Sequence, residues 1–323
     1  MALNSKTFPL LPSDAGTGRP ILMSSRRERK RLATLNLATL NVRGCASQIK
    51  RNHLFKVMEN RNLACLGITE TKMKESLIED EGPFKLIIMP STSIHHGVGF
   101  GVRKELAGPW RSISNRVGAL NLKMPNLEAN IIVVYAPTSP VCEKHPEERE
   151  KFYKDIEEAW AKDKVNILLG DFNSKVGRRC DDYPKNAGSF SMGTRNEGGA
   201  SLLSFAQRKD MILTNTLFKK KFGMRATWCG QVGAKKIYNQ IDYILVPNKC
   251  RHLITNSESY NTRDVETDHR LVVTSLQMKN TPGKKKRWFQ TSSKPDLDAL
   301  QDPSVCENLK ERVFEYKEGH EEE

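Results

Sequence analysis

The chain has 323 residues, 38% of them hydrophobic and 28% charged, and a formal net charge of +14. That composition excludes a disordered polymer and leaves room for one large domain or two small ones. No apolar run is long enough to cross a bilayer and no signal-peptide core opens the chain, so no membrane partner is expected.

The charge is unevenly placed. Residues 1–32 carry +5, residues 279–323 carry −1, and 33–278 hold the remaining +10. A basic excess inside the folded part points to a polyanion, whereas the plainer reading is solubility alone. Seven cysteines, an odd number without C-x-x-C spacing, fit free thiols in a reducing compartment and argue against a zinc site.

Residues 1–32 read as a basic tail. Its cluster Arg26–Arg31 suits a nuclear import signal, a phosphate-contacting arm or a solvated run. Ala33–Asn41 alternates as a strand, and Leu54, Val57 and Met58 mark a helix from about Lys50 to Arg61. Leu63–Ile68 is an apolar run of strand length, with Glu70 just beyond it. Strand patterns follow at Phe84–Met89 and Gly97–Val102. Leu120–Met124 and Ala129–Tyr135 read as an antiparallel pair. Phe152, Ile156 and Trp160 recur at a spacing of four within a charged helix from Glu143 to Ala161. Val165–Leu169 is a buried strand that Gly170 breaks, leaving Asp171 and Asn173 to project together from extended backbone.

A Gly-, Asn- and Arg-rich loop, 174–199, leads to a helix over Gly199–Lys209 and a strand at Met211–Asn215. Ala226–Cys229 lies between basic stretches, Ile241–Val246 and Leu271–Leu276 are strands, and Thr267-Asp-His-Arg270 precedes the latter. The C-terminal stretch, 279–323, opens on the basic run Lys284–Arg287, a second candidate import signal. It then turns acidic, with a helix pattern at Val305, Leu309 and Val313. The division is therefore a tail (1–32), a folded domain (33–278) and a basic linker with an acidic tail (279–323).

Polar residues recur at the strand boundaries: Asn41, Glu70, Tyr135, Asp171, Asn173, Asp242, Asp268 and His269. Taken singly, each has a bland role as turn residue, cap or amphipathic strand end. Asp242 inside a strand pattern is the exception, because a carboxylate there needs a partner. If the strand ends share one rim, four carboxylates crowd together, and they stay ionised only beside a cation. Oxygen donors without a cysteine cluster favour Mg²⁺, with Mn²⁺ an alternative, and suit metal-assisted phosphoester hydrolysis.

In that order, the segments Leu40-Asn-Val-Arg-Gly44, Ile68-Thr-Glu-Thr-Lys72, Val134-Tyr-Ala-Pro137, Leu169-Gly-Asp-Phe-Asn173 with Gln240-Ile-Asp-Tyr-Ile244, and Thr267-Asp-His-Arg270 resemble the endonuclease/exonuclease/phosphatase superfamily. Thr39–Gly44 looks most like its RTE-type non-LTR retrotransposon branch. The resemblance implies a DNase I-like four-layer α-β-β-α sandwich, with two mixed sheets face to face and helices outside. It implies that Asn41, Glu70 and Asp268 serve the metal, Glu70 most directly. Asp171 would orient or deprotonate water, and Asn173 and Tyr135 would contact the phosphate. Asp242 would orient His269, and His269 would polarise the phosphate; the base is left open between Asp171 and His269.

Arg43 departs from the pattern, standing where abasic-site enzymes usually carry Asp. It, Thr227 and Trp228 are candidate DNA contacts, cations for phosphates and an aromatic for a sugar or base face; core packing is the alternative for Trp228. Tyr243 stands where inositol-lipid phosphatases and DNase I-like members usually carry Arg, which favours the nuclease branch. The resulting expectation is a monomeric, nuclear, Mg²⁺-dependent DNA endonuclease. The alternatives are a silent domesticated domain that binds nucleic acid or a protein, and a phosphatase of small phosphoesters.

Overall fold

A computed structural model describes residues 32–124, 127–178, 181–262 and 264–279. The basic clusters Arg26–Arg31 and Lys284–Arg287 and the helix pattern at 305–313 lie outside the described residues.

The elements in order are β1 (Leu32–Asn41), α1 (Gln48–Asn60), β2 (Leu63–Thr69), β3 (Leu77–Glu81), β4 (Phe84–Ile88), β5 (Val98–Arg103), β6 (Ala107–Ser114), β7 (Val117–Met124) and β8 (Leu127–Tyr135). There follow α2 (Ser139–Lys144), α3 (Pro146–Ala159), β9 (Val165–Asp171), α4 (Glu197–Arg208), β10 (Met211–Leu213), β11 (Trp228–Val232), β12 (Lys235–Asn239), β13 (Asp242–Pro247), β14 (Ile254–Tyr260) and β15 (Leu271–Lys279).

Two mixed sheets result. One runs β14-β15-β1-β2-β5-β4-β3, the other β10-β13-β9-β8-β7-β6, and β11-β12 is a separate hairpin. The parallel pairs are β1–β2 and β8–β9.

Side-chain alternation assigns each strand residue to a layer. Leu35 and Leu37 of β1, Ile131 and Val133 of β8, Ile167 and Leu169 of β9, and Ile244 and Val246 of β13 form the core between the sheets. The opposite face of the first sheet, including Ala38, Leu40 and Leu66, packs on Leu54, Phe55 and Met58 of α1. The opposite face of the second, including Ile132, Leu168 and Tyr243, packs on Phe152 and Ile156 of α3 and Leu202 and Phe205 of α4. This is the expected four-layer α-β-β-α sandwich.

Several details differ from expectation. Gly170 does not break β9; it lies within the strand, where an added Cβ would fall 1.9 Å from the Val134 carbonyl oxygen. It marks close backbone approach. The helix from Glu143 divides at His145 and Pro146 into α2 and α3, because proline withholds the amide that a continuous helix needs. Trp160 caps α3 rather than continuing it. Strands β3, β6 and β14 are edge strands that alternation does not mark. With solvent on one side they carry charged, proline-containing or polar sequences, LIEDE, AGPWRSIS and ITNSESY.

Candidate active site

The face of each strand that fills the inter-sheet core turns polar at one rim. In β1, Leu35 and Leu37 give way to Thr39 and Asn41. In β8, Val133 is followed by Tyr135; in β9, Leu169 by Asp171; in β13, Asp242 precedes Ile244. Period-two geometry thus stacks these groups beside one another, and the register sets Tyr135 opposite Asp171 and Asp171 opposite Asp242. Of these, Tyr135 and Asp171 line a cleft of about 510 Å³ together with Arg43, Glu70, Lys72, Asn173, Trp228, Asp268 and His269, while Thr39, Asn41 and Asp242 lie buried behind it. A larger hollow of about 660 Å³ is lined by Gly177, Arg178, Asp182, Gly193, Thr194 and Arg195, but its carboxylate, Asp182, is held by Arg195.

Of the carboxylates, Asp242 and Asp171 sit deepest, with exposures of 0% and 1%. Asp242 accepts from His269 Nδ1 at 3.0 Å, while His269 Nε2 lies 3.8 Å from Asp171 Oδ2. Burial alone would lower the His269 pKa, but the charges of Asp242 and Asp171 outweigh it and raise the imidazole to about 9. Burial, then repulsion from Asp242, raises the Asp171 carboxyl above the usual carboxylate range.

Asn41 is fully buried. Its Oδ1 accepts from the Arg43 backbone amide, which fixes the carboxamide orientation, and its Nδ2 donates to Asp171 at 3.0 Å and to Glu70 at 3.2 Å. It therefore presents its amino group to the two carboxylates and turns its oxygen to the Arg43 amide. Glu70 also accepts from the Tyr135 hydroxyl at 2.7 Å and pairs with Lys72 Nζ at 3.1 Å. Burial raises the Glu70 pKa, but the hydrogen bonds from Tyr135, Asn41 and Lys72 outweigh it and leave it lowered. Burial and the Glu70 charge together raise that of Tyr135.

Asn173 is not on extended backbone. It lies at φ 47°, its amide donates to Asp171 Oδ1 at 2.8 Å, and its Nδ2 donates to the Ala136 carbonyl. The Asp-x-Asn pair is thus a side-chain-closed turn. Asp268 Oδ2 accepts from Trp228 Nε1 at 3.0 Å and pairs with Arg43 at 3.4 Å, whereas its buried Oδ1 has no hydrogen-bond partner.

Thr227 does not reach a surface. It is fully buried, and its hydroxyl accepts from the amides of Ile241 and Asp242 at 2.9 and 3.0 Å. It fixes the start of β13 and so the Asp242 carboxylate. Trp228 is half-buried on the cleft wall. Tyr243 is fully buried beside Phe172, its hydroxyl donating to the Gln240 carbonyl, so it cannot read a substrate.

Sequence reasoning gave no role to Lys72, although its place two residues beyond Glu70 signals a shared turn. It also missed the support behind Tyr135. Arg116 donates to the Tyr135 carbonyl and lies over its ring, and His96 packs against that ring. Burial, then Arg116, lowers the His96 pKa to about 4, leaving it neutral near pH 7.

The outer part of this rim offers carboxylate oxygens of the kind a divalent cation takes. Glu70 and Asp268 both face the cleft, and Asp268 Oδ1 is a buried acceptor with no hydrogen-bond donor, lying 4.0 Å from His269 Nε2. The inner group of Asp171, Asp242 and His269 is compact enough to hold an ion. There the hydrogen bond to Asp242 engages Nδ1, and Nε2 is the ring nitrogen that faces Asp171.

No protein-family model matches the chain. Craniofacial development protein 2 of Bos taurus is 28% identical over 272 residues, covering 79% of this chain and 43% of that protein. The chain thus spans less than half the length of this curated relative. The endonuclease domain of TRAS1, a telomere-specific non-LTR retrotransposon, superposes with a TM-score of 0.52 at 12% identity, covering 75% of this chain and 98% of that domain. The AP endonuclease LMAP of Leishmania major gives 0.56 at 15% identity, covering 76% and 88%. An endonuclease/exonuclease/phosphatase family protein of Leptotrichia buccalis C-1013-b gives 0.51 at 12%, covering 75% and 99%. With its two facing mixed sheets and a polar rim at the ends of β1, β8, β9 and β13, the chain has the fold of the endonuclease/exonuclease/phosphatase superfamily and resembles craniofacial development protein 2.

Proposed function

We propose that the chain is a Mg²⁺-dependent endonuclease that hydrolyses a phosphodiester bond of DNA and nicks one strand, with Mn²⁺ as an alternative ion. The observation that carries this reading is the buried pairing of Asp242 with His269 beside Asp171, opening on a cleft that also holds Glu70 and Asp268. Glu70 and Asp268 would hold the cation, which when bound supplies positive charge to the scissile phosphate.

The chain's own groups divide the remaining work. Asp242 keeps His269 protonated and oriented, so Nε2–H can donate to a phosphate oxygen. An imidazolium cannot accept the proton of water, which leaves Asp171 as the base; its raised pKa suits that task. Water's oxygen bonds to phosphorus, its proton passes to Asp171, and the bond to the leaving sugar oxygen breaks, that oxygen keeping the electron pair and taking a proton from solvent water. Asn41 holds Asp171 towards the cleft. Tyr135 commits its proton to Glu70 and so steadies that carboxylate, and Asn173 keeps one amide hydrogen for the phosphate.

DNA is the substrate class that the +10 charge of residues 33–278 favours, and the basic clusters at 26–31 and 284–287 suit nuclear import. The test is nicking of supercoiled plasmid by the purified chain in Mg²⁺. Glu70→Ala and His269→Ala are each expected to slow it by about 10²-fold or more, and EDTA should stop it. Nicking that both variants retain at the wild-type rate would sink the proposal.

A second reading, a domain that binds nucleic acid without cutting it, is favoured by the cations that the chain itself places on Glu70 and Asp268. A third reading is a phosphatase of small phosphoesters. Release of phosphate from a soluble monoester, compared with plasmid nicking, separates it.

A further inference from the structure

The two carboxylates that face the cation position are both already paired with cations of the chain. Lys72 Nζ lies 3.1 Å from Glu70 Oε2, the oxygen left over once Tyr135 and Asn41 have engaged Oε1. Arg43 Nη1 lies 3.4 Å from Asp268 Oδ2. Local backbone sets up both pairs: Arg43, Glu70 and Lys72 all adopt positive φ, 50°, 54° and 55°. Side chains with a Cβ enter that region at a cost, and three such residues in two short loops mark a conformation held for a purpose.

The pairs are also exchangeable. The Arg43 side chain is 55% exposed and that of Lys72 33% exposed, and both line the cleft in which a phosphate backbone would lie. The Arg43–Asp268 pair is the more open and so the weaker, the Lys72–Glu70 pair being closed on its Glu70 side, which is 17% exposed, and a phosphate offers arginine and lysine a better partner.

Resting on the nuclease reading above, we propose that Lys72 and Arg43 are resident counter-cations that hold Glu70 and Asp268 until DNA phosphates draw them away, so that divalent cation and DNA bind cooperatively. In the free protein an incoming ion must compete with two positive charges for its ligands. With DNA in the cleft the same two charges are turned towards phosphate and the carboxylates are released. Linkage requires the effect to be reciprocal: DNA tightens the ion, and the ion tightens DNA by the same factor.

Mn²⁺ is the probe, titrated into the full chain and followed by electron paramagnetic resonance, alone and with a short DNA duplex carrying phosphorothioate linkages to slow cleavage. The wild type is expected to bind Mn²⁺ at least about fivefold tighter with duplex than without. The Arg43→Ala/Lys72→Ala double variant should bind Mn²⁺ alone about tenfold tighter than the wild type, with the duplex effect reduced to about twofold or less. Reciprocity supplies a check that needs no variant: saturating Mn²⁺ should tighten wild-type DNA binding by the factor that duplex tightens Mn²⁺. Equal Mn²⁺ affinity with and without duplex in a wild type that still nicks DNA overturns this proposal alone. So does a duplex effect that persists undiminished in the double variant, because phosphate ligation of the ion would then be its source. Absence of Mn²⁺ binding in both proteins overturns the metal-dependent reading itself.

Discussion

His269 is held from two sides, Nδ1 by Asp242 and Nε2 facing Asp171, and nearly all of its surface is buried. Its pKa rises from 6.5 to about 9 on folding, so the protonated ring stabilises the native state below the lower value, and that contribution fades as pH climbs through the higher. Between about pH 7 and about pH 10 the wild type should therefore lose about 2–3 kcal/mol more unfolding free energy than His269→Gln, as read from urea denaturation; equal losses would show that the ring is not charged in the native protein. Thr227 makes the complementary point. Its hydroxyl is the acceptor for two buried amides, and Thr227→Val, nearly equal in volume, strands both. A loss of about 1–3 kcal/mol is expected in thermal or urea unfolding, with slower nicking through displacement of Asp242. Individual residues were legible in the sequence where chemistry and position coincide. Asp242, a carboxylate in a strand pattern, demanded a partner and has one. Thr227 and Asn173 were not legible, because their behaviour depends on backbone groups that only the folded chain brings to them.

Among elements, β9 carries the central constraint. It is hydrogen-bonded on both sides, parallel to β8 and antiparallel to β13, and delivers Asp171 to the rim. Gly170, one residue earlier, lets the backbones close. A methyl there would meet the Val134 carbonyl oxygen, which cannot move without breaking the ladder. Gly170→Ala is expected to cost about 3 kcal/mol or more, measured by the urea midpoint, because the clash is with main chain rather than with a side chain that can swing aside. The sequence pattern exposed β1, β2, β8, β9 and β13 because they are covered on both faces or alternate cleanly. It hid β3, β6 and β14 because an edge strand needs charge or proline more than it needs apolar alternation. The β11-β12 hairpin was hidden for a related reason: its tip is exposed and basic, with Lys235 and Lys236 beside Val232, while its first residue, Trp228, bonds to Asp268 in the cleft.

At the scale of the whole molecule, the basic excess and the carboxylates of the cleft, Glu70, Asp171 and Asp268, oppose one another. Long-range attraction would bring a polyanion to the surface, and the cleft would then need cations to admit a phosphate. DNA affinity should fall linearly in log–log with salt, and Arg43→Ala should reduce the slope by about 1, measured by fluorescence anisotropy over a range of KCl concentrations. An unchanged slope would remove Arg43 from the phosphate contacts. Sequence alone determined the alternation that sorts side chains into layers, the polar residues that end those strands, and the charge of the domain, since each depends on residue type and spacing. Only the tertiary structure decided what those polar residues do to one another. Sheet register set Asp171 beside Asp242, packing removed both from water and raised the His269 pKa, and left-handed turns carried Lys72 to Glu70 and Arg43 close enough to pair with Asp268. Charges interact through distance and burial, and neither is a property of spacing along a chain.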